Sequence, residues 1–476
     1  MMKGRLIKGL LAAVGLCLCA LLMGAAASTD TAPPPPGKTT FYKDVLPILQ
    51  NNCQSCHRPG EVAPMSLLTY EDARPWAVAI KMAVTTKKMP PWYADPQYGH
   101  FSNERKLTPQ QIKTLVTWVA GGAQQGDPKD APEPVKFVDG WNIGVPDRVI
   151  EMPIAFNVPA EGTVEYQYMV LPGGFTQDTW VRAAEVRPGN RAVLHHAIAF
   201  IRPPDSRWLR DVKPGEFFVP KKESDKKKES DKKQESGSNQ LRAMTRRADL
   251  GELLVSYTPG MQPVELTNEA KLIKAGSDIV LQLHYCANGT AGADKSKIGV
   301  IYAKQPPKLS NVQLAASNAR FKIPPNDDNY EVKSQVQLEE TVTLSSLWPH
   351  MHFRGKDFLY KVIYPDGKTD TLLSVPKYDF NWQLEYRLAQ PLVLPKGTRI
   401  ECTAHFDNSV NNPYNPDSSK EVTWGDQTWE EMMMGFFSVS VDPKVNAAGL
   451  MKVEKPGTRT APGQPEVEQP DPGHFH

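Results

Sequence analysis

Five residues, Cys53-Gln54-Ser55-Cys56-His57, carry the most specific chemistry in this chain. Two thiols spaced by two residues can add to the two vinyl groups of a haem, and the histidine that follows can then ligate the iron from one face. A bare disulfide or half a zinc site would leave that histidine unused. A methionine downstream is expected on the opposite face, and Met65, Met82 and Met89 compete for it, with His100 or water as alternatives. Met89 is preferred, because Met89-Pro90-Pro91-Trp92 reads as a rigid, non-helical strap, whereas Met82 falls in a helical-looking run from Glu71. A thioether opposite an imidazole raises the reduction potential and fills the coordination shell, which suits electron transfer.

A second group of residues could hold metal. His195-His196, His284 in Gln282-Leu283-His284-Tyr285, and His350-Met351-His352 all fall in the β-rich part of the chain. Residues i and i+2 of a strand point to the same face, so His350 and His352 can grip one ion without distortion. Adjacent His195 and His196 would point to opposite faces, and for both to reach one ion the pair must sit at a strand end or a bulge. Taken one at a time, these motifs are more simply read as core or surface histidines; together they suggest a metal site.

The elements that position these residues follow from composition. A chain of 476 residues suggests about three domains, and 43 prolines weigh against long helical bundles. The net charge of +2 provides no field to attract a polyanion, so nucleic acid is not an expected partner. Six cysteines are too few for a disulfide scaffold. Residues 1–27, basic, then apolar, then small, read as a signal peptide whose removal takes Cys17 and Cys19 with it; uncleaved, they would anchor the chain to a membrane. A periplasmic or otherwise exported location follows.

Residues 28–38 form a Pro-rich linker and 39–126 a helical domain, whose clearest helix opens at Thr108-Pro109 and stops at Gly121-Gly122. Its apolar stripe is expected to be Ile112, Leu115, Val116 and Val119. A linker at 127–145 leads into short β-rich runs split by Pro, Gly and Asn, among them 164–170, 192–201 and 278–285. The expected architecture is multidomain: a small all-α domain, then two all-β sandwiches of jelly-roll type at 146–322 and 323–445. A disordered insertion at 221–240 and a disordered tail at 446–476 complete the chain.

The helical part resembles a small class I cytochrome c. From about residue 146 to 443, the order of motifs resembles the copper type II, ascorbate-dependent monooxygenases, a family that includes peptidylglycine alpha-hydroxylating and dopamine beta-monooxygenases. The resemblance is carried by His195-His196, Leu281-Gln282-Leu283-His284-Tyr285, His350-Met351-His352-Phe353-Arg354-Gly355, and Glu431-Met432 after Trp424-Gly425-Asp426-Gln427. It implies two coppers per chain, one on His195, His196 and His284 that handles electrons, and one on His350, His352 and Met432 where O2 and substrate meet. Spacing alone does not separate Met432 from Met433 and Met434; the position after Glu431 selects Met432.

Two departures bear on the substrate. Peptide-hydroxylating relatives hold a carboxylate with an arginine and a tyrosine where this chain has Trp348 and Phe436, so a C-terminal glycine peptide is not the expected substrate and an apolar or aromatic one is. The family tends to pair the cysteine matching Cys402 with one just after the ligand methionine; position 433 is Met here, which leaves Cys286 as the available non-haem partner. The resulting expectation is a copper monooxygenase that hydroxylates a C–H bond of a small molecule with O2. Its electrons would come through one covalent haem c from ascorbate or another external donor. The competing expectation is a haem and copper protein that transfers electrons or binds copper without turnover.

Overall fold

The computed structural model describes residues 39–138, 140–219 and 252–454; the leader, the expected insertion at 221–240 and the final residues lie outside them. The fold is mostly β, in several sheets. Residues 41 to 120 carry the main helices, Leu46–Asn52, Tyr70–Ala73, Ala77–Thr85 and Pro109–Ala120, which gather their own core around Phe41, Leu49, Leu115 and Trp118. The last of these helices starts where the sequence places it. Thr108 accepts from the Gln111 N–H, and the Gln111 side chain accepts in return from the Thr108 N–H. Its buried face is rotated from the expected stripe, with Trp118 rather than Val116 in the core.

Two β cores follow. In the first, a five-stranded sheet ordered Phe217–Phe218, Gln167–Leu171, Asp278–Tyr285, Leu194–Arg202, Glu252–Tyr257 shares a core with the strands Arg148–Glu151, Lys297–Tyr302, Thr179–Arg187 and Glu269–Ile273. In the second, Thr369–Val375, Gly355–Ile363, Arg399–Phe406, Tyr330–Leu338 and Met451–Glu454 share a core with Leu309–Ser317, Met434–Val441, Val342–His350 and Tyr386–Leu394. A short parallel pairing of Leu309 and Ser310 with Glu269 and Ala270 fuses the inner layers of both units into one nine-stranded sheet.

Two expected boundaries move. The strand Leu309–Ser317 sends Val312, Leu314 and Ala316 into the second core, so that core already includes residues on the near side of 323. Residues 446–454 are not a loose tail: Met451–Glu454 pairs with Tyr330–Leu338 as an edge strand, because Leu450 buries its side chain in the second core. Among the described residues, no helix is long and apolar enough to cross a membrane.

Candidate metal centres

The strand Leu194–Arg202 pairs antiparallel with Asp278–Tyr285, and the register places His196 opposite His284 but Leu194 opposite Tyr285. His195 is the extra residue of a β-bulge. This distortion is what the adjacent histidines require, since it turns both imidazoles to one side. The Nδ1 of His196 lies 3.3 Å from the Nδ1 of His195 and 3.4 Å from that of His284. A neutral imidazole has only one N–H, so nitrogens meeting in this way do not all find hydrogen-bond partners in one another. The spacing matches nitrogens about 2.0–2.1 Å from one tetrahedral ion. Burial pushes His195 down to about 4 and, with the neighbouring imidazoles, pushes His196 and His284 well below the usual histidine range. All three are thereby held as the neutral rings that ligate metal.

His350 and His352 present the opposite ring edge. The rings lie 5.2 Å apart, nearly perpendicular. His350 closes its strand, while His352 lies just beyond it rather than on it, as the i, i+2 argument assumed. The Nδ1 of His350 meets Oε1 of Gln383, and the Nδ1 of His352 lies 3.2 Å from the Glu430 carbonyl. With Nδ1 donating to oxygen, each ring has its Nε2 lone pair free for a ligand. The buried Glu431 carboxylate replaces strand pairing as the device that fixes the turn. It accepts from the N–H of His352 at 2.9 Å, of Arg354 at 2.6 Å and of Met432 at 3.3 Å. Burial nevertheless pushes its carboxyl up to about 8.

The three methionines separate by environment. Met433 is fully buried in the second β core, and Met434 starts a strand opposite His350. Met432 is only 7% exposed and belongs to none of the hydrophobic clusters. Met433→Ala is therefore expected to cost roughly 2–5 kcal/mol in chemical denaturation, as core truncations do. Met432→Ala should change stability far less while lowering copper content, a contrast that reverses if Met433 is the ligand.

Single rings separate the two centres. Tyr166, just before the strand Gln167–Leu171, has its ring centroid 4.7 Å from that of His284 and 6.4 Å from that of His352. Phe380, from the other unit, stacks on His195 at 5.4 Å and lies 6.3 Å from His352. The Tyr166 N–H donates to Gln427, tying the two units together at the site, while its buried hydroxyl has no hydrogen-bond partner. Beside His350, Trp348 and Phe436 stack at 5.1 Å and join Ile198 and Leu253 of the first unit in an apolar cluster that bridges the two units. Nothing in the sequence pattern flagged Tyr166, Phe380 or Gln383, and Glu431 was legible only as a marker beside Met432.

In the helical part, backbone hydrogen bonds from Cys56 and His57 to the Cys53 carbonyl wind the Cys53–His57 loop into a turn. Both thiols are free, and burial pushes Cys53 up to about 12. The His57 Nδ1 lies 3.3 Å from the Met65 carbonyl, which leaves Nε2 for iron and sets the Met65 main chain on the ring edge away from it. Met65 packs against the helical core, and Met82 is 64% exposed. After Met89 the strap runs to the second β unit, where Trp92 packs at 4.9 Å on Tyr386 and Phe101 bridges to Leu388. His100 is exposed at that same edge, its carbonyl accepting from the Ala389 N–H. Cys286 and Cys402, which the sequence left as an open pairing, are both free: Cys402 is buried in the second core, and Cys286 lies beside His195 and His284.

No known family's sequence profile matches this chain, and no curated protein matches it. Among solved structures, a particle of the infectious bursal disease virus Gx strain is 9% identical over 64% of this chain and 75% of its own, with a TM-score of 0.17. The VP2 subviral particle of the same virus is 10% identical over the same shares, with a TM-score of 0.18.

Proposed function

We propose that this chain is an exported copper-dependent monooxygenase that hydroxylates a C–H bond of a small apolar substrate and receives its electrons through a covalent haem c. The observation that carries the reading is the meeting of three neutral imidazoles, His195, His196 and His284, at a β-bulge one aromatic ring away from His350 and His352. One oxygen atom enters the substrate, and the other leaves as water with two electrons from the donor and two protons. Copper supplies the one-electron steps and the affinity for O2, and imidazoles suit both of its oxidation states while a thioether favours the reduced one.

The chain's own residues supply the rest. Gln383 orients the His350 ring, and Glu431 ties the turn carrying His352 to the separate segment carrying Met432. Tyr166 and Phe380 exclude water between the centres. The Trp348–Phe436 pair leaves an apolar wall with no cation to hold a carboxylate. Cys53, Cys56 and His57 would hold the haem, whose chemistry there is electron relay.

The deciding experiment quantifies copper and haem iron together on the purified chain and follows isotopically labelled O2 into products of an aromatic and aliphatic substrate screen. Two coppers, one haem and labelled product are expected. Haem without copper after copper loading overturns the reading, and copper with haem but no labelled product reduces it to an electron-transfer protein.

A further inference from the structure

The three-imidazole centre has a neighbour that the sequence argument assigned elsewhere. Cys286 stands two residues after His284, and its thiol and the ring nitrogens of His195 and His284 all lie within 4.8 Å of one another. The placement follows from strand geometry. Residues i and i+2 share a face, so His284 and Cys286 point together toward the centre, while Tyr285 between them turns into the first β core and donates its hydroxyl to Asp294. The backbone at this position is pinned on both sides. The Cys286 N–H donates to the Val193 carbonyl at 2.9 Å, and Cys286 bridges to Thr163. The bulge at His195 brings the facing strand's histidines to the same point. All four described thiols are free of disulfides, and Cys402 is buried in the second core.

We infer that Cys286 is a further ligand at this centre, its thiolate joining the nitrogens of His195 and His284 that it meets and making it a nitrogen–sulfur copper site. This rests on the metal reading above and goes beyond it in the donor set. A thiolate is the softest donor a protein offers to copper, and with imidazoles it builds sites that pass single electrons with little change of geometry. That chemistry matches a centre that only receives and forwards electrons, and it separates this centre from the thioether-bearing one at His350 and His352.

The test loads the Met432→Ala chain, with its haem in place, with copper(II) alone, so that the thioether assigned to the other centre is absent, and reads the oxidised protein by copper-edge X-ray absorption and electron paramagnetic resonance. A short copper–sulfur path and the narrowed copper hyperfine splitting of a thiolate site are expected, both lost in Cys286→Ser added to that background. Bound copper should also block alkylation of Cys286, with the protection lost in His196→Ala. Copper bound through nitrogen and oxygen only, unchanged by Cys286→Ser, overturns the ligand assignment but leaves the three-histidine centre standing. No copper bound at all overturns both.

Discussion

Glu431→Ala is expected to be the most damaging single substitution in the second β unit, losing both stability and the copper held by His350 and His352. The carboxylate is fully buried and accepts three backbone N–H groups, from His352, Arg354 and Met432. Removing it leaves those donors without partners in an interior that water does not reach, at about 1–3 kcal/mol each, so a loss of several kcal/mol should appear in denaturant titration. The buried Arg354 guanidinium also loses its nearest compensating charge, although it keeps its bonds to Asn408 and the Trp429 carbonyl. Glu431→Gln sharpens the test above about pH 8, where the buried carboxyl is ionised. Both carboxylate oxygens accept, Oε1 from Arg354 and Oε2 from His352 and Met432, so an amide must set its NH2 against one of these donors. The glutamine variant should therefore also lose stability and copper, to a lesser degree. A Glu431→Ala chain as stable as the parent, with full copper content, would remove Glu431 from its positioning role.

This network shows where reading the sequence stops. The β-rich character was legible because short apolar runs broken by Pro, Gly and Asn have few other solutions. The helix Pro109–Ala120 was legible because its cap is written in adjacent residues. The need for a bulge at His195-His196 could be argued from strand geometry alone, and the register supplies one. What could not be read depends on residues that meet only in the folded chain. Glu431 reaches back to His352 across 79 positions, and Gln427 takes the Tyr166 N–H across 261. The aromatic rings between the two histidine sets carry no local pattern, because a Tyr or Phe at a strand edge is the ordinary choice of any β protein. The edge strand Met451–Glu454 was missed for a related reason: its Pro- and Gly-rich flank dominates the local composition, while what holds it is the distant strand Tyr330–Leu338. Whether Cys286 pairs with Cys402 stayed open in the sequence because cysteine positions along a chain contain no distance; both thiols are free in the fold.

Removing the haem by Cys53→Ala with Cys56→Ala is expected to slow re-reduction of the three-histidine centre to the rate of direct collision with the external donor, with copper content unchanged. The proposed path between the two would cross the contact between the helical part and the first β unit. Glu61, on the loop after His57, pairs with Arg58 at 2.9 Å and with Arg191 of the first β unit at 3.2 Å. The Arg191 guanidinium lies 5.6 Å from the centroid of the Tyr257 ring, and Tyr257 is the strand partner of Ala197, the residue after His196. The loop after His57 is therefore docked beside the strand that carries His195 and His196. Arg191→Ala makes the intermediate case: it keeps haem and copper but loosens this contact, so stopped-flow reduction should show slower electron arrival at copper after normal haem reduction. If the haem-free chain re-reduces its copper at the parental rate with the natural donor, the haem serves some other partner and the electron path proposed here is wrong. If only the Arg191 variant behaves like the parent, the electrons cross between the units elsewhere, and the strap at Trp92, packed on Tyr386, becomes the next contact to cut.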